Sequence, residues 1–352
     1  MRPASLCAIM FFATLARPWT EPVLESAQPT GPVRLIYDTD MGNDIDDALA
    51  LGVIHALQSR GECELLAVTS SKDNEFSAPF IDLVNTFYGR GDIPVGAVRN
   101  GKTPKPGRYI QPPAQATDNG ALRYPHDLRS GRNAPEAADL HRKVLAAQPD
   151  RSVVFVVVGF STNIARLLDS APDGHSPLSG LDLVKKKCRL LSIMAGAFPT
   201  PAKHKEYNVI KDIPAARKVF ARWPTPIVVS GYEIGKSILY PATSIQRDFN
   251  YVRHHPLREA YALYLKMPYD RPTWDLTSVL YAVRPDRGYF GLSAPGRIRV
   301  GEDGHSRYTP AADGKDRYVT VTPEQIVKVR QALVMLASQP PTASPGLRSP
   351  RR

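Results

Sequence analysis

The chain has 352 residues, 43% of them hydrophobic and 22% charged, which is ordinary for a globular protein and enough for one large α/β domain or two small ones. Its net charge is +11, but the Lys and Arg residues are scattered. The densest run, Lys185-Lys186-Lys187, has no interleaved aromatics, so a basic solvated surface is expected and a nucleic-acid groove is not; Cys7, Cys63 and Cys188 fit neither a metal-ligand spacing nor a disulfide framework.

The N-terminus has Arg2 and then an apolar run from Leu6 to Ala16, too short to span a bilayer as a helix. It fits the apolar core of a secretory signal peptide, with cleavage after Ala16 or after Ala27. The alternative is an untidy cytosolic extension, or a start placed upstream of the true one. Export to the periplasm or the medium is expected with a signal peptide, and a cytoplasmic location without one. Residues 17–32 are rich in Pro, Thr and Glu and read as a linker. The expected organisation is 1–32 signal peptide and linker, 33–338 one folded domain, and 339–352 a disordered Pro-, Ser- and Arg-rich tail. No later segment is long and apolar enough for a membrane span.

Within 33–338, strand and helix patterns alternate. Val33 to Tyr37 reads as a strand and Ala48 to Leu57 as a mostly buried helix. Glu64 to Thr69 is a strand and Ala78 to Tyr88 a helix. Ala97 to Pro125 is rich in Pro and Gly without a clear period, as binding loops often are. Helix Ala134 to Ala147, apolar strand Ser152 to Val158 and a helix from Thr162 follow. Next come strand Cys188 to Met194, helix Ala215 to Arg222 and strand Pro226 to Ser230. Pro256 to Lys266 and Asp275 to Val283 are helical, Tyr289 to Val321 carries turn signals of a small β-hairpin appendage, and Glu324 to Ala337 closes the domain. The alternation predicts an open, mostly parallel sheet wrapped by helices, Rossmann-like in class.

The most informative segment is Asp38-Thr39-Asp40-Met41-Gly42-Asn43-Asp44-Ile45-Asp46-Asp47, five carboxylates in ten residues between the first strand and the first helix. Ligands bind at strand ends of this kind in open α/β sheets. A helix macrodipole accounts for one or two acids in a first turn, not five. Burying so many like charges unpaired is costly, and a hard divalent cation such as Ca²⁺ or Mg²⁺ with oxygen ligands relieves the repulsion. Four more segments read as site loops: Lys72-Asp73-Asn74, Gly159 to Ala165 with Thr162-Asn163, Met194-Ala195-Gly196 with Glu206-Tyr207-Asn208 beyond it, and Trp274-Asp275. Each alone reads as a cap or a loop; their order, at strand ends that converge on one crevice, is the signal.

These residues resemble the nucleoside hydrolase family, the inosine-uridine-preferring nucleoside N-ribohydrolases, from about Val33 to Pro285. The family's usual motif is Asp-x-Asp-Pro-Gly-x-Asp-Asp; here it is two residues longer, Met41 stands for the proline, and Gly42 and Asp46-Asp47 match. The resemblance implies the nucleoside hydrolase fold and hydrolysis of the N-glycosidic bond of a ribonucleoside to ribose and free base, in purine or pyrimidine salvage. It implies Ca²⁺ held by Asp40, Asp46, Asp47, the backbone carbonyl of Thr162 and Asp275, with Asp44 able to replace Asp46 because of the insertion. It implies Asp40 as general base, and Asn74, Met194, Glu206 and Asn208 as ribose contacts. The implied partner is a small ribonucleoside, with no nucleic acid and no membrane span, and homo-oligomerisation is left open. Two departures concern the leaving group. Trp274 stands where purine-type members have a His, so it can stack on a base or pack but not donate a proton. The family's His-Gly loop is not recognisable between Tyr109 and Asp127, and Lys203-His204-Lys205 replace an expected Asn. His204 and His126 are the next histidines to consider. Two other readings remain: a binding module of the same fold that keeps calcium and ribonucleoside but has lost turnover, and an Asp-x-Asp phosphatase with Asp38 as nucleophile.

Overall fold

The computed structural model describes residues 31–199 and 204–342. The expected signal peptide and most of its linker, and the expected tail from Ala343 onward, lie outside the described residues. Ten strands form the main sheet: β1 Val33–Thr39, β2 Cys63–Lys72, β3 Val95–Lys102, β4 Val153–Val157, β5 Cys188–Met194, β6 Ile227–Ser230, β7 Gly291–Leu292, β8 Gly296–Val300, β9 Ser306–Pro310 and β10 Asp316–Thr320. Their order is β9-β8-β10-β6-β5-β4-β1-β2-β3, with β7 paired to β10. All pairs from β3 through to β10 are parallel; only the β8, β9 and β7 contacts are antiparallel. The expected hairpin is therefore β8 and β9, and it is joined edge-on to the main sheet through β10.

The inner order 3-2-1-4-5-6 reverses direction between β1 and β4, which makes the crevice beyond their carboxyl ends the binding position of such a sheet. Both faces are covered, which explains why the strands read as continuous apolar runs. Leu35, Tyr37, Val154 and Val156 pack on one face with α1 (Asp46–Ser59), α2 (Ser77–Phe87) and the helix Trp274–Val283. Ile36, Val153, Phe155 and Val157 pack on the other with the helices Thr162–Asp169, Gly180–Lys187 and Ile213–Arg222. In α1 every residue from Asp46 to Leu57 is buried, so this helix lies inside the molecule. It approaches the helix Pro256–Tyr264 closely: a Cβ on Gly52 would stand 2.6 Å from Leu257.

The stretch from Ala97 to Pro125 contains more structure than its Pro and Gly content predicts. Strand β3 runs into it, and a short helix, Gln111–Gln115, and a two-residue ladder, 117–118 with 121–122, complete it. Tyr109 and Ile110, both buried, pack it under the acidic motif. Among the described residues, no helix is long and apolar enough to cross a membrane.

Candidate active site

The acidic motif starts where β1 ends. Asn43 donates its backbone N–H to the Asp40 carbonyl to close a turn, and Gly42 at φ +113° supplies a backbone conformation that other residues rarely adopt. Tyr109 clamps this turn from below: its hydroxyl accepts from the Gly42 N–H at 2.9 Å and donates to the Asp44 carbonyl. Tyr109 lies inside the stretch that the sequence leaves as an aperiodic loop, so only packing reveals its part in the motif.

The five acids take three different directions. Asp38 is fully buried in the sheet and accepts hydrogen bonds from Thr69 (2.6 Å) and Asn163 (2.8 Å). This leaves it away from the cavity, which speaks against a phosphatase nucleophile at that position. Asp44 accepts from the Arg271 guanidinium, with the Nε bond at 2.9 Å, so its charge is matched. Asp40, Asp46 and Asp47 remain, and Asp275 joins them from the helix Trp274–Val283, which packs beside α1 on the same face of the sheet. One carboxylate oxygen from each of Asp46, Asp47 and Asp275 lies within 4.8 Å of the others. Asp46 and Asp47 open α1, and Asp275 opens the helix Trp274–Val283; the Asp275 N–H donates to Asp46 at 3.1 Å. Two helix N-termini thus meet at one acidic point.

The cluster is electrostatically costly as it stands. Burial and then the neighbouring carboxylates hold Asp46, Asp47 and Asp275 well above the usual carboxylate range. Asp40 is pushed up to about 6, by burial first, despite its 2.6 Å bond from the Asn43 amide. Asp47 spends one oxygen on the Thr39 hydroxyl, and its Oδ2 is buried with no hydrogen-bond partner. A buried orphan carboxylate oxygen beside two further carboxylates is what a hard cation requires of its site. The residues present therefore fit a bound divalent ion.

A cavity of about 350 Å³ opens over this floor. On one side Glu206 caps the short helix Tyr207–Lys211 and accepts backbone N–H bonds from Asn208 (2.7 Å), Val209 (3.1 Å) and Gly196 (3.2 Å). Burial outweighs these donors and pushes its carboxyl up to about 7. The Asn208 amide donates to the Val158 carbonyl at 2.7 Å and touches Met194, tying the ends of β4 and β5 together. The opposite side is aromatic. His204 stacks on Tyr232 at 3.7 Å between ring centroids, and Tyr232 stacks on Trp274 at 5.7 Å. The Trp274 Nε1–H donates to the Tyr232 carbonyl at 2.8 Å, and the Arg271 guanidinium covers both the Trp274 and the Tyr264 rings. A Cβ on Gly235 would come within 2.3 Å of the Trp274 backbone, so glycine sets how closely the two helices carrying Tyr232 and Trp274 approach.

Asp40, Asp46, Asp47, Met194, Glu206, Asn208, Trp274 and Asp275 all line this cavity, as sequence reasoning places them. Asn74 and Thr162 do not. The Asn74 side chain donates to the Pro104 carbonyl and accepts from the Phe76 N–H, and the Thr162 hydroxyl donates to Asp212 at 2.6 Å. The residue that β4 contributes to the cavity wall is Val158, four positions earlier in the loop. His126 is buried outside the cavity with its Nδ1 at the Tyr124 carbonyl. Asn43 and Tyr207 line the cavity from within segments the sequence marks, and Tyr232 and Tyr264 line it without a sequence signal. A larger cleft of about 900 Å³ lies between the helix Ile213–Arg222 and β8, but its carboxylates, Asp313 and Asp316, are paired with Arg297 and Lys315.

The family model of the inosine-uridine preferring nucleoside hydrolases matches residues 35–334. The pyrimidine-specific ribonucleoside hydrolase RihA of Salmonella typhi is 32% identical over 238 residues, covering 60% of this chain and 64% of the relative. The match thus spans a little under two thirds of that relative's length. Two solved structures share the fold. The purine-preferring ribonucleoside hydrolase from Gardnerella vaginalis has a TM-score of 0.63 at 17% identity, covering 87% of this chain and 99% of its own. The inosine-uridine preferring nucleoside hydrolase of Bacillus anthracis has a TM-score of 0.63 at 16% identity, with 87% and 99% covered.

Proposed function

Because the chain belongs to the inosine-uridine preferring nucleoside hydrolase family, we propose that it hydrolyses the N-glycosidic bond of a ribonucleoside, with Ca²⁺ at the Asp46-Asp47-Asp275 floor. The single observation that carries this reading is the orphaned, buried Asp47 Oδ2 among like charges, in a cavity that also presents Glu206 and Asn208. Asp40, Asp46, Asp47 and Asp275 would hold the ion, and Val158, whose carbonyl accepts from the Asn208 amide, lines the cavity beside them. When bound, calcium supplies Lewis acidity and a fixed orientation for the ribose hydroxyls and a water.

The residues then divide the work. Asp40 accepts the proton of the attacking water as general base. As the C1′–N bond breaks, positive charge grows on the ribose ring, as in glycoside hydrolysis generally. Glu206, held by three backbone donors, presents a fixed negative charge to that cation. Asn208 fixes the geometry of the strand ends beneath the sugar. The base leaves on the aromatic side, where Trp274 offers a stacking face and no proton, since its N–H is held by the Tyr232 carbonyl.

A reducing-sugar assay against a panel of ribonucleosides, with and without a calcium chelator, tests the proposal. Chelator-sensitive release of ribose is expected. Tight nucleoside binding without release would favour the binding-module reading, which the absence of a histidine next to Asp275 motivates. Hydrolysis of a chromogenic phosphate ester in place of a riboside would overturn both.

A further inference from the structure

A second cavity, of about 650 Å³, adjoins the first and shares Asn43, Tyr207 and Tyr264 with it. Its walls carry four cations, Lys72, Lys105, Arg108 and Arg271, and no carboxylate. Arg271 is matched by Asp44. The other three have no carboxylate partner among the described residues: the Lys72 ammonium donates to Asn43 Oδ1 and the Thr103 carbonyl, both at 2.7 Å, Arg108 donates to the Tyr264 carbonyl, and Lys105 is exposed. Lys72 is 2% exposed, so its charge is held in place at the base of this cleft and not spread into solvent.

The cleft is also wired to the reacting end of the site. The Asn43 amide donates to Asp40 (2.6 Å) and Thr103 (3.2 Å) while its oxygen accepts from Lys72. The loop bearing Lys105 and Arg108 is pressed onto the acidic turn at Gly107, where a Cβ would fall 2.0 Å from the Gly42 carbonyl. The basic cleft therefore has a fixed position relative to Asp40.

We propose that the substrate is a ribonucleoside carrying a 5′-phosphate and that this cleft receives the phosphate; the inference rests on the ribonucleoside hydrolase reading of the adjoining cavity. The choice of the 5′ position follows from the sugar. Its 2′- and 3′-hydroxyls are the groups the proposed calcium orients, so a phosphate ester at either would remove a hydroxyl the floor needs. The base occupies the aromatic side. Only the 5′-carbon is free to leave the cavity through the Asn43-Tyr207-Tyr264 seam, and beyond it lie Lys105 and Arg108 without a carboxylate ion pair among the described residues, with Lys72, whose field also reaches Asp40 and Asp47, at the base of the cleft. Arg and Lys lining one cleft recognise a phosphate dianion by charge-assisted hydrogen bonds. In the reaction, water oxygen bonds to C1′, the C1′–N bond breaks, and the electron pair and a proton go to the base nitrogen. The products are ribose 5-phosphate and free base; the phosphate ester is untouched.

The experiment compares kcat/KM for uridine, cytidine, adenosine and inosine with that for their 5′- and 3′-monophosphates, in the calcium-loaded wild type and in a Lys105→Ala/Arg108→Ala variant. The 5′-monophosphate is expected to be preferred over its nucleoside by about tenfold or more, the size of one or two charge-assisted bonds. The 3′-monophosphate is expected to be the poorest. The double variant should lose most of the 5′-phosphate preference, whereas Lys185→Ala/Lys186→Ala, which removes the same charge from a distant helix, should keep it. Cleavage of nucleosides with no preference for 5′-phosphates, or a preference that the double variant retains, overturns the inference and leaves the hydrolase reading standing. If no riboside is cleaved, the hydrolase reading falls. Calorimetric binding of each nucleoside and its 5′-monophosphate then decides the cleft separately, and equal affinities overturn it.

Discussion

The floor of the cavity takes three of its four carboxylates, Asp40, Asp46 and Asp47, from eight consecutive residues, whereas the facing wall takes His204, Tyr232, Tyr264 and Trp274 from four separate segments. The floor is deeply buried and clamped by backbone: Tyr109 holds the turn, and two helix N-termini converge on it. The wall is partly exposed and held by stacking, with one indole hydrogen bond and one guanidinium over two rings. The difference separates two tasks. A cluster of like charges works only if its members cannot relax away, which burial enforces. A wall that accepts a leaving group can vary in shape as long as it keeps a flat apolar face.

The largest effect is expected from breaking the floor. Asp47→Ala should remove bound calcium and reduce hydrolysis to background, as read by elemental analysis and ribose release. The same variant should melt at a higher temperature than wild type in chelator, since one repelling buried carboxylate is gone. A wild type fully active without any divalent metal would sink this account of the floor. Asp40→Asn should keep substrate affinity and lose rate by roughly 10²–10⁴-fold, the range assigned to general-base catalysis. Near-normal turnover at saturating substrate would remove Asp40 from that role.

Glu206 sharpens the comparison through pH. Burial raises its carboxyl from 4.5 to about 7 in the folded protein, and in the proposed reaction it would act as an anion. The rate should therefore rise as pH climbs through about 7, and Glu206→Gln should remove that limb from the profile. The stability effect has the opposite sign. With the folded value above the unfolded one, the stability linked to this group is fully present below about pH 4.5 and is lost as pH rises through about 7. A wild-type melting temperature that rises over this window in chelator relative to Glu206→Gln would contradict the assignment.

The wall should give smaller effects. Trp274→Ala should weaken substrate binding by about 1–3 kcal/mol, the scale of a base stacked on an aromatic ring, and Trp274→Phe should retain most activity. Gly235→Ala should act on the wall without touching its side chains, costing about 1–3 kcal/mol through overpacking against the Trp274 backbone. With no proton donor at Trp274, a nitrophenyl riboside should react much faster than inosine; equal rates would point to an acid elsewhere, with His204 on the wall the first to mutate.

Much of the floor was legible in the chain because its residues are contiguous and their types are chemically demanding. Five acids at a strand-to-helix junction have few uses, and the apolar runs around them read directly as a doubly covered parallel sheet. Asp275, Glu206 and Asn208 were legible by their order behind successive strands. Sequence order could not say which acid faces which partner. Asp38 turns into the sheet and Asp44 to Arg271 because Thr69, Asn163 and Arg271 are brought there by other strands and helices. Asn74 and Thr162 fall outside the cavity for the same reason: the Asn74 side chain is tied to the Pro104 carbonyl and the Thr162 hydroxyl to Asp212, partners brought there by other segments. The aromatic wall and the basic cleft are tertiary throughout. A lone tyrosine, arginine or lysine carries no local pattern, and a ring stack or a cluster of unmatched cations exists only once distant segments have been packed side by side.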